Sequence, residues 1–302
     1  MVYKAVDDIS FTIKEGEMVG YIGANGAGKS TTIKMLTGIL TPTRGEIVVN
    51  GIVPSKDRQA NAKTIGVVFG QRTQLWWDLP LIESFSVLKE IYQVSDEDFK
   101  QRMALFNEVL GLEEFIKSPV RTLSLGQRMR ADIAASLLHN PKVLYLDEPT
   151  IGLDVSAKLA MRQAIKKMNE TFNTTLILTT HDMDDIEDLC SRIMILDHGK
   201  IIYDGDLSKI KEKYGILKTL TFSLNTPFED LDSITREFSH DPDFSVESSD
   251  LNLVIKFNKH LTKVSEVTSW VMNHFQVNDM SMSDTDIEEI VASIYEAKVV
   301  NV

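Results

Sequence analysis

The sequence predicts an α/β fold with a mainly parallel sheet, followed by a smaller α+β domain. Three observations carry that expectation. Short apolar runs alternate with amphipathic helical stretches through the first two-thirds of the 302 residues, the pattern of a sheet covered by helices on both faces. A glycine-rich segment near the amino end joins one such run directly to a helical pattern. Beyond Gly215 the pattern and the charge both change: residues 215–302 hold 6 Lys+Arg against 15 Asp+Glu, whereas residues 1–214 hold 26 against 29. Residues 1–214 are therefore expected to form one domain and residues 215–302 another.

Taken in order, Ala5–Ile13 alternates apolar and polar residues as a strand does, and Glu15-Gly16 turns the chain. Glu17–Ile22 reads as a buried strand leading into Gly23–Thr31 (GANGAGKST). Ile33, Leu36 and Leu40 then repeat at helical spacing, Thr41–Gly45 closes the helix, and Glu46–Asn50 returns as a strand. Ile65–Phe69 is another strand. Residues of about 72–135 form a helical insertion, in which Leu81, Phe85, Leu88 and Tyr92, then Phe99, Met103, Phe106 and Leu110, mark amphipathic faces. A helix from about Gln127 to Leu138, the strand Val143–Leu146, the helix Ala157–Glu170 and the strand Leu176–Leu178 complete the first domain. In the second, Thr219–Leu224 and Leu251–Phe257 read as strands, and Leu231–Phe238 and Val264–Phe275 as helices. Ile287, Ile290, Val291, Ile294 and Tyr295 stripe a final helix, with Thr285 and Glu288 spaced as its capping box.

Composition narrows the class. A hydrophobic share of 43% and a charged share of 25% suit a folded globular chain. The net charge of −12 argues against a nucleic-acid binder working by phosphate neutralisation. The single cysteine, Cys190, excludes an intrachain disulfide and a cysteine metal cluster, and reads as a small core residue. No stretch has the ~20 apolar residues of a membrane span, and no signal peptide precedes Met1, so a cytoplasmic protein is expected.

Gly23-Ala24-Asn25-Gly26-Ala27-Gly28-Lys29-Ser30 fits the phosphate-loop pattern G-x-x-x-x-G-K-[ST], between a strand and a helix as the chemistry requires. Glycines let successive backbone N–H groups face a phosphate, the helix offers its positive end, Lys29 reaches the β/γ-phosphates and Ser30 can ligate Mg²⁺. Val143–Leu146 ends in Asp147-Glu148, so a carboxylate can orient the Mg²⁺ shell while its neighbour polarises a water as general base.

With these residues in place, the chain resembles an ABC-transporter ATPase subunit of the P-loop NTPase class over about residues 1–214. The two motifs above match the Walker A element, through Thr31, and the Walker B element. Gln71 stands at the Q-loop glutamine, which in the family contacts Mg²⁺. Leu123-Ser124-Leu125-Gly126-Gln127 matches the ABC signature, with Leu125 in place of its first glycine; Asp154 matches the D-loop and His181 the switch histidine. The resemblance implies a cassette of mainly parallel sheet with an antiparallel portion and the helical insertion. It further implies ATP and Mg²⁺ as ligands, and a head-to-tail dimer in which Ser124, Gly126 and Gln127 close over nucleotide held by a second copy. Asp154 links the two sites, and His181 positions the γ-phosphate and attacking water.

By the same resemblance, the partner is an integral membrane permease that holds the subunit at the inner face of the membrane, with no role for nucleic acid. A single cassette with an acidic tail is similar to bacterial exporters of drugs, lipids or polysaccharides. The alternative class, soluble ABC ATPases of DNA repair or translation, has long coiled-coil insertions or tandem cassettes, neither of which is read here. Family members stack an aromatic on adenine; either Tyr3 does so or the leading strand is missing from this chain. Trp76-Trp77, after Gln71, suits either the core or the groove that receives a permease helix. Asp182, Asp184, Asp185, Glu187 and Asp188 lack metal-ligand alternation and read as a solvated helix face. The acidic tail is expected to dimerise or regulate.

Overall fold

The computed structural model describes residues 4–70, 72–228 and 231–299; the candidates Tyr3 and Gln71 lie outside the described residues. The chain divides into two compact units, Met1–Asp206 and Leu207–Val302.

The sheet of the first unit contains β1 (Met18–Gly23), β2 (Ile65–Phe69), β3 (Val143–Asp147), β4 (Thr175–Thr179), β5 (Arg192–Asp197) and β6 (Lys200–Asp206), in the order β2-β3-β4-β1-β5-β6. The first five run parallel, and β6 returns antiparallel to β5. β5 and β6 are not among the strands expected from pattern. The inner strands are near-continuous apolar runs because helices cover both faces. Gly20 pairs with Leu178, and Asp147 with Thr179, so β1, β3 and β4 end close together at one edge. Ligands of open α/β sheets bind outside the carboxyl ends of such strands.

The helices of this unit are α1 (Lys29–Leu36), α2 (Arg58–Thr64), α3 (Leu81–Tyr92), α4 (Asp96–Leu110), α5 (Leu125–Leu137), α6 (Val155–Phe172) and α7 (Met183–Leu189). α3, α4 and α5 make up the insertion. α3 buries Leu81, Phe85 and Leu88, and α4 buries Met103, Phe106 and Leu110, the faces their spacing predicts. Phe85 and Phe106 are fully buried, and each stabilises the fold by about 1.5–3 kcal/mol relative to exposure. Ser95 caps α4 by accepting from the Asp98 N–H, and Gly111 ends it in the left-handed region.

Two expected strands are absent among the described residues. Segments 5–13 and 46–50 have no ladder partner, only the Val49–Ile52 bridge and an Asp7 N–H to Gly199 carbonyl bond. Their apolar side chains Phe11, Ile13 and Ile47 still pack on the core around Tyr21, Ile33 and Tyr145, which accounts for the alternation. Leu40 does not extend α1. The helix ends at Leu36, where the Ile39 and Leu40 N–H groups both turn back to the Lys34 carbonyl, leaving Leu40 exposed.

The second unit comprises α8 (Leu207–Tyr214), β7 (Leu217–Leu224), α9 (Leu231–Glu237), β8 (Ser245–Ser249), β9 (Asn252–Asn258), α10 (Val264–His274), β10 (Val277–Asp284) and α11 (Ile287–Val299). The unit begins earlier than Gly215 because α8 packs with α11. β7 through β10, with α9 and α10, follow the split β-α-β-β-α-β arrangement of ferredoxin-like folds, with an antiparallel order of β10-β7-β9-β8. Leu220, Phe222, Leu253, Ile255 and Phe257 bury one face of its sheet with Val267 and Val271 of α10. β8 and β10 escape the sequence pattern because they are edge strands with mostly exposed, polar residues. The capping box at Thr285 does not form: its hydroxyl donates to the Leu217 carbonyl at 2.7 Å, and Asp286 accepts from the Glu289 N–H instead. Among the described residues no helix is long and apolar enough to cross a membrane.

Candidate functional site

The phosphate loop leaves β1 and enters α1. Gly28 sits at φ 110°, and a Cβ there would lie 2.4 Å from the Ala5 carbonyl oxygen, so only glycine fits. α1 has no side-chain cap and no acidic residue in its first turn, leaving its first N–H groups and positive end available to an anion. Asn25 and Gly26 are exposed on the loop, Ala27 is buried beneath it, and Lys29, Ser30 and Thr31 open the helix. Lys29 donates to the carbonyls of Gly23 and Ala24. Burial pushes its pKa below the usual lysine range, against the opposing pull of Glu148 and Asp147. Two residues that no motif singles out brace the loop: buried Tyr21 donates to Thr32 Oγ1 at 3.1 Å, and Thr32 donates to the Gly28 carbonyl.

Asp147 and Glu148 emerge from β3, and His181 follows β4. His181 Nδ1 lies 2.7 Å from Glu148 Oε2, and the ring is otherwise 71% exposed, so its far nitrogen can face a ligand. Glu148 takes φ 58°, uncommon for a side-chain-bearing residue and costing on the order of 1–3 kcal/mol. Its N–H is held by the Thr179 carbonyl at 2.8 Å. Burial raises the Glu148 pKa; His181, then Lys29, oppose the rise. Thr179 Oγ1 donates to Asp147 Oδ1, fixing that carboxylate. Gly70, at the end of β2, is required by close approach, since a Cβ would meet the Glu148 carbonyl oxygen at 2.6 Å. Neither Thr179 nor Gly70 carries a local sequence signal, because each acts on a residue far along the chain.

Ser124, Gly126 and Gln127 lie at the start of α5, where Ser124 and Gln127 form a capping box. Among the described residues neither is hydrogen-bonded to the phosphate loop. Gly126 has room for a Cβ, whose nearest neighbours would be Leu153 and Ala157 at 3.8 and 3.9 Å, so its own chain does not demand glycine there. Asp154 caps α6 by accepting from the Ala157 N–H. Leu125 extends towards Gly152, filling space beside the Asp154 loop.

Asp132 is a further residue the motifs miss, although an acid within the apolar run Ala131–Ala135 is a signal. Buried on α5, it accepts from Thr73 Oγ1 at 2.8 Å and from the Gln74 N–H at 3.2 Å, tying the chain after Gln71 to that helix. Burial raises its pKa to about 6, against Thr73, Gln74 and Arg128. A raised acid pKa penalises the folded state as pH climbs from about 4 to 6. Asp132→Asn, which keeps the accepting oxygen, is therefore expected to stabilise the protein by about 1–3 kcal/mol above pH 6 and by nothing near pH 4. Thermal melts of both proteins across this range check it; a pH-independent difference would contradict the burial of a charge.

Trp76 and Trp77 are 39% and 49% exposed, which overturns the core alternative. The Arg128 guanidinium sits 5.6 Å from the Trp77 ring centre. The acidic helix α7 is not simply solvated either: Asp185 is fully buried, and Lys158 and Arg162 of α6 pair with its neighbours. Among the described residues no group of three or more His, Cys, Asp or Glu side chains could hold a metal ion.

The family model described as ABC transporter matches residues 6–151. The linearmycin resistance ATP-binding protein LnrL of Bacillus subtilis is 32% identical over 289 residues, covering 94% of this chain and 91% of the relative. The methionine import ATP-binding protein MetN 2 of Enterococcus faecalis is 34% identical over 69% of this chain and 61% of its own length. Among solved structures, a dimeric ATP-binding cassette, MJ0796, in a post-hydrolysis state with ADP and Pi matches with a TM-score of 0.60 and 30% identity, over 68% of this chain and 91% of that one.

Proposed function

This chain belongs to the ABC transporter family as an ATP-binding cassette with ATP hydrolase activity, and on that premise we propose that it powers export through a separate membrane permease as a head-to-tail dimer. The observation that carries the site is the 2.7 Å contact between His181 and Glu148 beside the uncapped start of α1. ATP phosphates bind at the N–H groups of Gly28 to Thr31 and at Lys29, with Gly23, Asn25, Gly26 and Ala27 shaping the loop. Ser30 and Asp147 carry hard oxygen donors that fit Mg²⁺ and would hold it together with Gln71; such an ion would neutralise phosphate charge. Glu148 accepts the proton of the attacking water. His181 donates Nδ1–H to Glu148 and, with both ring nitrogens protonated, donates Nε2–H to the γ-phosphate. Ser124, Gly126 and Gln127 close over the nucleotide of the second copy, and Asp154 borders that junction. The room beside Gly126 supports this reading, since glycine there suits a close approach from outside the chain. Tyr3 is the proposed adenine contact.

Export is favoured because the similarity to the linearmycin-resistance protein extends over 94% of this chain, whereas the similarity to the methionine-import protein covers 69%. The exposed Trp76 and Trp77 form the permease-facing surface, as aromatic anchors do in interfaces. The acidic second unit is a dimerisation or regulatory module. The full chain is expected to fractionate with membranes and bring down one integral protein. Trp76→Ala with Trp77→Ala is expected to lose that protein while keeping basal ATP hydrolysis, and removal of residues 207–302 to alter dimer stability or regulation without loss of ATP binding. Copurification with ribosomes or nucleic acid instead would sink the transporter reading.

A further inference from the structure

The loops carrying Glu148 and His181 are joined beneath their 2.7 Å contact by a buried carboxylate that no motif accounts for. Asp185 of α7 is 0% exposed. Its Oδ2 accepts from Thr150 Oγ1, two residues after Glu148, and from Thr180 Oγ1 at 3.2 Å, the residue before His181. Both threonines are buried. Thr180 Oγ1 in turn accepts from the Asp182 N–H at 3.0 Å, closing the turn that presents His181. From α6, the Arg162 guanidinium faces the other carboxylate oxygen at 3.7 Å, and Lys158 reaches Asp182 at 2.5 Å.

We propose that Asp185 is a positioning residue for hydrolysis, setting the distance between Glu148 and His181 by holding Thr150 and Thr180 on one oxygen. The inference rests on the reading of Glu148 and His181 as the hydrolytic pair. Glu148 occupies a backbone conformation that relaxes unless its surroundings fix it, and the fixing comes from both sides. The Thr179 carbonyl holds its N–H, and the Thr150–Asp185–Thr180 bridge holds the turn that follows. A buried bridge of this kind is stiff, because a hydroxyl that left Asp185 would find no water to replace it. The bridge also gives the start of α6 a mechanical path to His181: Asp154 caps that helix, and Lys158 and Arg162 grip α7 one and two turns later. A shift at Asp154 thus reaches the histidine without passing through the nucleotide.

Removing the buried acid strips Arg162 of one of its carboxylate partners and leaves both threonine hydroxyls unpaired, so the principal test uses Thr150→Val with Thr180→Val, which keep the volume and delete the two donors to Asp185 together with the acceptor of the Asp182 N–H. In the full-length protein, assayed below the variant's own melting temperature, this pair is expected to lower kcat for ATP at least tenfold with KM changed less than twofold. A merely structural role would lower the amount of folded enzyme without separating kcat from KM, so the split between the two is the readout of positioning. Asp185→Asn, which keeps an acceptor, is expected to retain more turnover than Asp185→Leu. A valine pair with unchanged kcat, alongside an inactive Glu148→Gln, would overturn the role of Asp185. Full turnover by Glu148→Gln would overturn the pair itself and this inference with it.

Discussion

Glu148→Gln is expected to lower ATP turnover at least a hundredfold while ATP binding and ATP-dependent pairing of two copies persist. The substitution preserves shape and the oxygen facing His181 but cannot take a proton, and a positioned general base contributes about 10²–10⁴-fold. Burial raises the pKa of this carboxyl, so wild-type activity should fall on acidification sooner than an ordinary carboxylate would dictate. Glu148→Gln residual activity should lack that limb. Phosphate release measured across pH, with size-exclusion chromatography in ATP and Mg²⁺, checks both halves. A variant hydrolysing at the wild-type rate would remove Glu148 from the base role.

Lys29→Ala is expected to weaken ATP binding about 10- to 100-fold, the equivalent of losing one hydrogen bond to a charged group worth about 1.5–3 kcal/mol. Its stability should barely change, because among the described residues Lys29 is bonded to the carbonyls of Gly23 and Ala24 alone and its ammonium is already penalised by burial. The loss should grow with phosphate number, from slight for AMP to full for ATP, since the side chain serves the outer phosphates. Calorimetric titration of the three nucleotides tests this; equal losses for AMP and ATP would point to a collapsed loop rather than a missing contact.

What the sequence makes legible is local chemistry. The phosphate loop needs eight consecutive residues, and the strand ending in Asp147-Glu148 needs six, so pattern and spacing suffice for both. The insertion helices are legible because one face of each is buried. Long-range dependence is what stays hidden. Thr179 on Asp147, Gly70 under Glu148 and Asp132 on Thr73 each depend on residues brought together by sheet order or packing. The same holds for secondary structure. Segment 5–13 has strand-like alternation, but a strand also needs a neighbour to bond, and none of the described residues supplies a ladder. The edge strands β8 and β10 err the other way, being paired through their backbones while their side chains look like loop. Thr285 has the spacing of a cap, yet β7 takes its hydroxyl.

The capping box at Ser124 bears on how fast two copies can engage. The Ser124 oxygen already accepts from the Gln127 N–H, but a hydroxyl keeps a hydrogen to give, so a phosphate can be bound without dismantling the cap. In the proposed dimer, the surface that meets the second nucleotide is thus finished before encounter. The Ser124–Gln127 turn does not have to order on contact, so this part of the surface adds little entropy loss beyond that of bringing two bodies together. Closure then resembles the meeting of two rigid faces, with its speed governed by diffusion and orientation.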